Sequence, residues 1–184
     1  MTKYRLTYRL PSMKKARAKL FQNGGSQAVR LPKECRFADL QREGKIRWVG
    51  LSNASVKQIL AACEIVPIAS VQNRLNPFFR EAIAEGVVAH CGRNGIGFLA
   101  YSPLGGGRLN KKLPGHPVAS AIARKRGVSA HAIMLAWVLA QGPSVIAIPG
   151  ARTVEHVRDS ATAAAIALDP EELDAIDRAE FSRA

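Results

Sequence analysis

The chain has 184 residues, 47% hydrophobic and 22% charged, enough for one ordinary domain or for a small module joined to part of a larger one. That balance excludes a chain disordered along most of its length. The longest apolar stretch, Ala130 to Ala140, is interrupted by His131 and is too short to span a bilayer. The formal net charge of +13 is lopsided: residues 1–38 carry ten Lys and Arg against one acid, a net +9, and the remaining 17 bases and 13 acids leave +4. A basic head on a nearly balanced body points to two pieces, 1–38 and 39–184, and such a head favours polyanions, above all nucleic acid. Lys3, Arg5 and Arg9 cut the first apolar run, so no signal peptide is expected. Cys35, Cys63 and Cys91 are odd in number, widely spaced and outside any CxxC or Cys/His pattern, so neither a disulfide framework nor a metal site is expected. The expected setting is the cytoplasm, away from membranes.

In chain order, Ala18 to Gln22 and Gln27 to Leu31 read as short alternating strands around the turn cluster Asn23-Gly24-Gly25-Ser26, with Pro32 as the stop. Two such strands cannot bury a core alone, so a partner is expected, most simply a second copy of the chain. Lys45 to Ser52 reads as a strand. Ser55 to Cys63 fits a helix with Ser55 as its N-cap, and Ile68 to Gln72 is a second strand. Arg80 to Arg93 reads as one helix with Gly95 just past its end, and Ile96 to Tyr101 as a third strand. Ser102 to Gly115 is a Gly/Pro loop. Two helices follow, Val118 to Arg126 and Ala130 to Gln141, the second capped by Ser129. Val145 to Ile148 is the fourth strand, with helices near Val154–Ala165 and Pro170–Ala179. Asp169-Pro170-Glu171-Glu172 supplies an N-cap, an N1 proline and an acidic first turn. Cys63 and Cys91 read as buried small apolar groups. His90, His116 and His131 read as surface or packing groups, and Arg124-Lys125-Arg126 as a solvated helix face.

Four β-α units in a row mean a parallel sheet covered by helices, with the glycine-rich and polar signals where each strand ends. The fold class is therefore α/β, a partial (β/α)8 barrel of about four β-α units. Closing a full barrel takes about 250 residues, and roughly 140 follow Leu40.

Five ordered motifs resemble the C-terminal half of an aldo-keto reductase over about residues 40–182. They are Gly44 to Asn53, Val71 to Asn76, Asn94 to Gly107, Leu135 to Gly142 and Ile148 to Arg152. The resemblance implies a (β/α)8 barrel that transfers hydride between NADP(H) and a carbonyl or alcohol. It implies that Ser52, Asn53 and Gln72 hydrogen-bond the nicotinamide carboxamide and that Tyr101 stacks on the ring. Ser102, Leu104 and Gly106 would follow the pyrophosphate. Gly150, Ala151, Arg152 and His156 would surround the adenosine 2′-phosphate, and Asp159 and Ser160 stand where the family usually has Glu-Asn facing adenine. No catalytic residue is assigned: the family's Asp, Tyr, Lys and His tetrad comes from the other half of the barrel, and Tyr4, Tyr8, Tyr101, Asp39 and His90 do not occupy its motifs. Loss of general acid work removes about 10²–10⁴-fold in rate, so low or absent activity is expected of the chain alone.

Arg17 to Phe37 resembles the start of a VapB-type antitoxin, a strand-exchanging DNA-binding module, over about residues 16–37. That implies DNA contacts from Lys19, Asn23, Ser26, Gln27 and Arg30, with Lys19 on phosphate. It also implies a homodimer through this segment, while the open edges of a half-barrel invite a partner of their own. Gly25 stands where that family commonly has Arg. The joined resemblances suggest a fusion or a truncation, an antitoxin start joined to a reductase end.

Overall fold

The computed structural model describes residues 19–23, 26–30 and 37–183. It divides into two units, Met1–Arg47 and Trp48–Ala184.

In the first unit β1 (Lys19–Asn23) and β2 (Ser26–Arg30) pair antiparallel, from Lys19 opposite Arg30 to Asn23 opposite Ser26. The rest of the 16–37 segment lies outside the described residues. A short helix follows, α1 (Phe37–Arg42), whose Asp39 pairs with Arg42 at 2.5 Å.

The second unit is built on four strands: β3 (Val49–Ser52), β4 (Ile68–Arg74), β5 (Gly97–Tyr101) and β6 (Val145–Ile148). All three neighbouring pairs are parallel and the strands lie in chain order. The fold is thus the expected α/β architecture with a four-stranded parallel sheet, as in part of a (β/α)8 barrel. Val71, Phe98, Ala100 and Val145 are buried on one face, and Val49 and Ile68, also buried, lie before a register irregularity between Val49 and Gly50. The other face carries Gly50, Ser70, Gln72, Leu99 and Ile146. A Cβ on Gly50 would stand 2.6 Å from Ser70 Oγ and 3.2 Å from the Ser70 carbonyl oxygen, so the hydroxyl would have to turn away to admit one.

The helices cover the first face. Helix α2 (Val56–Cys63) begins with a full capping box between Ser55 and Gln58 and buries Ile59. Helix α6 (Pro117–Arg126) is capped by His116, and α7 (Ala130–Leu139) by Ser129. Every α7 residue from Ala132 to Val138 is buried, and Trp137 donates its indole N–H to Asp177 at 2.9 Å. Helix α8 (Val154–Thr162) is capped by Thr153 and continues into a 3₁₀ turn, Ala163–Ala165. Helix α9 (Pro170–Arg178) starts at Asp169 with its capping box to Glu172.

Several expectations are corrected. Arg80–Arg93 is two helices, α3 (Glu81–Ala84) and α4 (Val87–Arg93), because Gly86 takes φ +73° between them and a left-handed residue ends a helix. The strand expected from Lys45 starts at Val49, and the helix expected to reach Gln141 ends at Leu139. The Ser102–Gly115 loop contains α5 (Gly106–Leu109) and a 3₁₀ turn, Asn110–Gly115. Cys63 is exposed at the end of α2, while Cys91 is buried and burial raises its thiol pKa. His116 caps α6 and stacks on Phe181, with centroids 4.0 Å apart, and His131 Nε2 donates to the Asn110 carbonyl at 3.0 Å.

The basic end of α6 is not simply solvated. Arg126 makes a two-pronged contact with Glu172, its Nε at 2.8 Å from Oε1, and Lys125 reaches the same carboxylate at 3.3 Å. Glu172 is itself only 4% exposed. Arg126 is the main cause that holds the Glu172 carboxyl down, to about 2, well below the ordinary 4.5. The pair fastens α9 to α6.

A carboxylate held below its ordinary pKa stabilises the fold above that ordinary value and loses its contribution as pH falls toward the depressed one. Thermal melts of Glu172→Gln should therefore lie a few degrees below wild type at pH 7. The gap should shrink between about pH 4.5 and 2; a pH-independent gap would assign the loss to packing instead.

Candidate functional site

In a parallel sheet all strand ends of one polarity lie on one rim, and ligands bind beyond the carboxyl ends. Here that rim is formed by Ser52, Arg74, Tyr101 and Ile148 and the loops that leave them.

Two asparagines at the end of β4 arrange those loops. Asn73 grips Ala54 by both backbone groups: Oδ1 accepts from the Ala54 N–H at 3.0 Å and Nδ2 donates to its carbonyl at 2.9 Å. Asn76 is fully buried. Its Nδ2 donates to the Ser102 carbonyl at 2.8 Å and its Oδ1 accepts from Phe78 N–H at 2.9 Å. Such forks satisfy loop groups that no ladder reaches. The two residues that leave β3 and β5, Asn53 and Ser102, both take left-handed backbone, φ +53° and +48°. Neither is glycine, and such non-glycine conformations cluster where a binding loop is held in place.

The expected site residues fall into groups. Ser52 sits opposite Gln72 across the β3–β4 ladder, and the Asn53 N–H donates to the Gln72 carbonyl at 2.9 Å. Tyr101 Oη donates to Asn53 Oδ1 at 3.0 Å, which ties the phenol to the neighbouring strand end. Ser102, Leu104 and Gly106 share one cleft of about 350 Å³ with Gly150, Ala151 and Arg152. The β5 and β6 loops are its two walls. His156, Asp159 and Ser160 do not line it. Asp159 instead accepts from the Ser129 hydroxyl at 2.7 Å, joining α8 to the cap of α7, and Ser160 lines an apolar hollow beside β6. The side chains of Lys19, Asn23, Ser26, Gln27 and Arg30 lie outside the described residues.

The cleft has the chemistry for a polyanionic nucleotide. A Cβ on Gly106, Gly107 or Gly150 would meet open space, so backbone lies bare to the cleft. Arg152 is exposed, makes no ion pair among the described residues and stands just before the Thr153-capped start of α8. Asn110 Oδ1, also lining the cleft, is buried without a hydrogen-bond partner. A buried polar atom left unpaired costs about 1–3 kcal/mol, so an incoming donor is favoured there. Sequence reasoning missed Asn110 because it sat within a stretch read as loop. Among the described residues no group of three or more His, Cys, Asp or Glu could hold a metal ion, and no helix is long and apolar enough to cross a membrane.

Comparison with known proteins gives the family. Residues 36–180 match the aldo/keto reductase family, and the chain belongs to it. An uncharacterized oxidoreductase of Schizosaccharomyces pombe is 35% identical over 77% of this chain and 46% of its own length. An aldo-keto reductase of Strobilurus tenacellus is 32% identical over 76% of this chain and 50% of its own. The crystal structure of an aldo-keto reductase from Klebsiella pneumoniae in complex with NADPH superposes with a TM-score of 0.68 at 33% identity, over 76% of this chain and 50% of that one. The chain spans about half the length of the curated relatives it matches.

Asn73→Ala should destabilise the body by roughly 1–3 kcal/mol, the cost of stranding half-buried backbone groups of Ala54. Urea unfolding would read this as a lower midpoint at unchanged slope; a midpoint within error of wild type would show that the loop is held by other contacts.

Proposed function

We propose that the body binds NADP(H) in the cleft between the β5 and β6 loops and is part of an NADP(H)-dependent oxidoreductase acting on a carbonyl or alcohol. The observation that carries this reading is the pairing of bare glycine backbone and Arg152 with the unpartnered Asn110 Oδ1 in one cleft at the strand carboxyl ends. The NADPH complex of the Klebsiella pneumoniae relative supports it.

On this reading each residue has a physical task. Arg152 meets the 2′-phosphate with a charge-assisted bond, helped by the start of α8, with Gly150 and Ala151 beside it and His156 outside the cleft on the first turn of α8. Ser102, Leu104 and Gly106 line the pyrophosphate, and the Asn110 amide accepts a donor from the nucleotide. Ser52, Asn53 and Gln72 orient the nicotinamide carboxamide, and Tyr101, held by Asn53, offers a flat face for the ring. Asp159 and Ser160 stand on the adenine side; Asp159, engaged by Ser129, anchors α8 there. The bound dinucleotide supplies the hydride. A carbonyl that accepts hydride at carbon must also gain a proton at oxygen, and the chain offers no residue for that role by family pattern. The chain alone therefore binds coenzyme and turns over carbonyls poorly or not at all.

Quenching of intrinsic fluorescence by NADPH tests this. Arg152→Ala should weaken NADPH by about tenfold, the worth of some 1.4 kcal/mol, and leave NADH nearly unchanged. No saturable NADPH binding by the wild-type chain, or an equal loss for both coenzymes, would overturn the reading.

The head supports a second activity. We infer that residues 1–38 form a DNA-binding segment of the VapB type, dimerising with a second copy, with Lys19, Asn23, Ser26, Gln27 and Arg30 toward DNA. The net +9 of this stretch and the antiparallel β1–β2 pair support that reading. On it the chain is a fusion that divides at about residue 38, in a cytoplasmic setting. In a mobility-shift assay on the DNA upstream of its own gene, Arg30→Ala should weaken binding and flatten its salt dependence by about one charge. An unaffected shift would rule out a specific role.

A further inference from the structure

A parallel sheet is ordinarily covered on both faces, because both carry apolar side chains and neither edge tolerates water well. The body covers only one. The uncovered face is divided in character. Toward β3 and β4 it carries Ser52, Ser70 and Gln72; toward β5 and β6 it carries Leu99, Ile146 and Ile148. Ile146 is 54% exposed, although it lies in the wholly apolar strand Val145-Ile146-Ala147-Ile148.

The edges tell the same story. Among the described residues β3 pairs only with β4, and β6 only with β5. Exposed large apolar residues gather beside both. Trp48, immediately before β3, is 69% exposed, and Ile65, after the helix that follows β3, is 76% exposed. On the other side Val154 and Val157, one turn apart on α8, are both more than half exposed. Between α8 and β6 lies an apolar hollow of about 380 Å³ lined by Leu135, Leu139 and Ile146. Phe37 on α1 and Leu60 on α2 are about half exposed too, and scattered apolar exposure is ordinary, but exposure gathered at two edges and one face marks an interface.

We propose that this surface docks a second copy of the chain, β3 of each copy pairing with β6 of the other to close an eight-stranded parallel ring. Two observations select this occupant. Four strands in chain order, with one free edge of each kind, are half of an eight-stranded ring, so two copies use up every edge. Two-fold symmetry also puts each strand across the ring from its own copy. The apolar β5–β6 faces then meet each other, and so do the polar β3–β4 faces. A single copy has no such match.

Sedimentation equilibrium of the full chain at micromolar concentration tests the ring and does not depend on coenzyme binding. The wild-type chain should be a closed dimer. Ile146→Lys places a charge on the apolar half of the interface and should weaken dimerisation at least tenfold, while the head stays intact. A wild-type monomer would overturn the proposal and point to a separate chain as the other half. Open, concentration-dependent polymers would overturn it through a contact that fails to close. A dimer unaffected by Ile146→Lys would overturn it in favour of pairing through the head. Should that variant lose its far-UV circular dichroism, hydrogen exchange on the wild-type chain decides. Amides of Gly50–Ser52 and Ile146–Ile148 should slow as concentration rises, and unchanged exchange there would sink the ring.

Discussion

The rim depends on the two carboxamides at the end of β4. A strand end leaves backbone N–H and C=O groups without ladder partners, and loops that turn away from a sheet add more. Asn73 and Asn76 absorb these demands in opposite directions, one reaching back to Ala54 in the β3 loop and the other forward to Ser102 in the β5 loop. An amide carries a donor and an acceptor a fixed distance apart, so each residue sets both the position and the rotation of the peptide it grips. A carboxylate could not do this, because it would offer two acceptors where one donor is needed. Loops three strands wide are thus referenced to a single strand.

That rigidity makes the unusual backbone of Asn53 and Ser102 affordable. A left-handed non-glycine residue costs about 1–2 kcal/mol, and it persists where neighbours determine it from several sides. Asn53 is held by its N–H on the Gln72 carbonyl and by its side chain, which accepts from Tyr101. Ser102 is held by Asn76 through its carbonyl. The same bonds bring Asn53 and Tyr101 together at the rim, so the strain and the site have one origin.

What could be read from the sequence follows the range of each interaction. Caps are local, so Ser55, Ser129 and Asp169 were legible and their helices begin where expected. Strand cores were legible from apolar runs, and the order of motifs led to the family. Gly86 was not legible as a break, because an isolated glycine in a helical pattern is often tolerated. Arg126 looked solvated because its partner, Glu172, lies 46 residues away in the chain. Asp159 read as a nucleotide contact through its place in a motif, and only the packing of α8 on α7 turns it to Ser129. Asn110 carried no signal at all: its interest arises from an Oδ1 that is buried, unpartnered and in a cleft, and none of those is a property of sequence.

The uneven polarity of the open sheet face ties the rim to the barrel below it. On that face β3 and β4 carry the hydroxyl and amide groups of Ser52, Ser70 and Gln72, while β5 and β6, whose loops wall the cleft, carry Leu99, Ile146 and Ile148. Water reaching the face would solvate Ser70 and Gln72 at little cost but would leave Leu99, Ile146 and Ile148 wet. At about 25 cal/mol per Å² of apolar surface removed from water, covering the aliphatic half supplies most of the drive to close the ring. Specific geometry is then left to the polar half, where Gly50 lies so close to Ser70 that a Cβ would displace the hydroxyl. Closure and recognition are thereby assigned to different strands of one sheet, and a substitution on β6 that weakens closure need not disturb how β3 and β4 hold their loops.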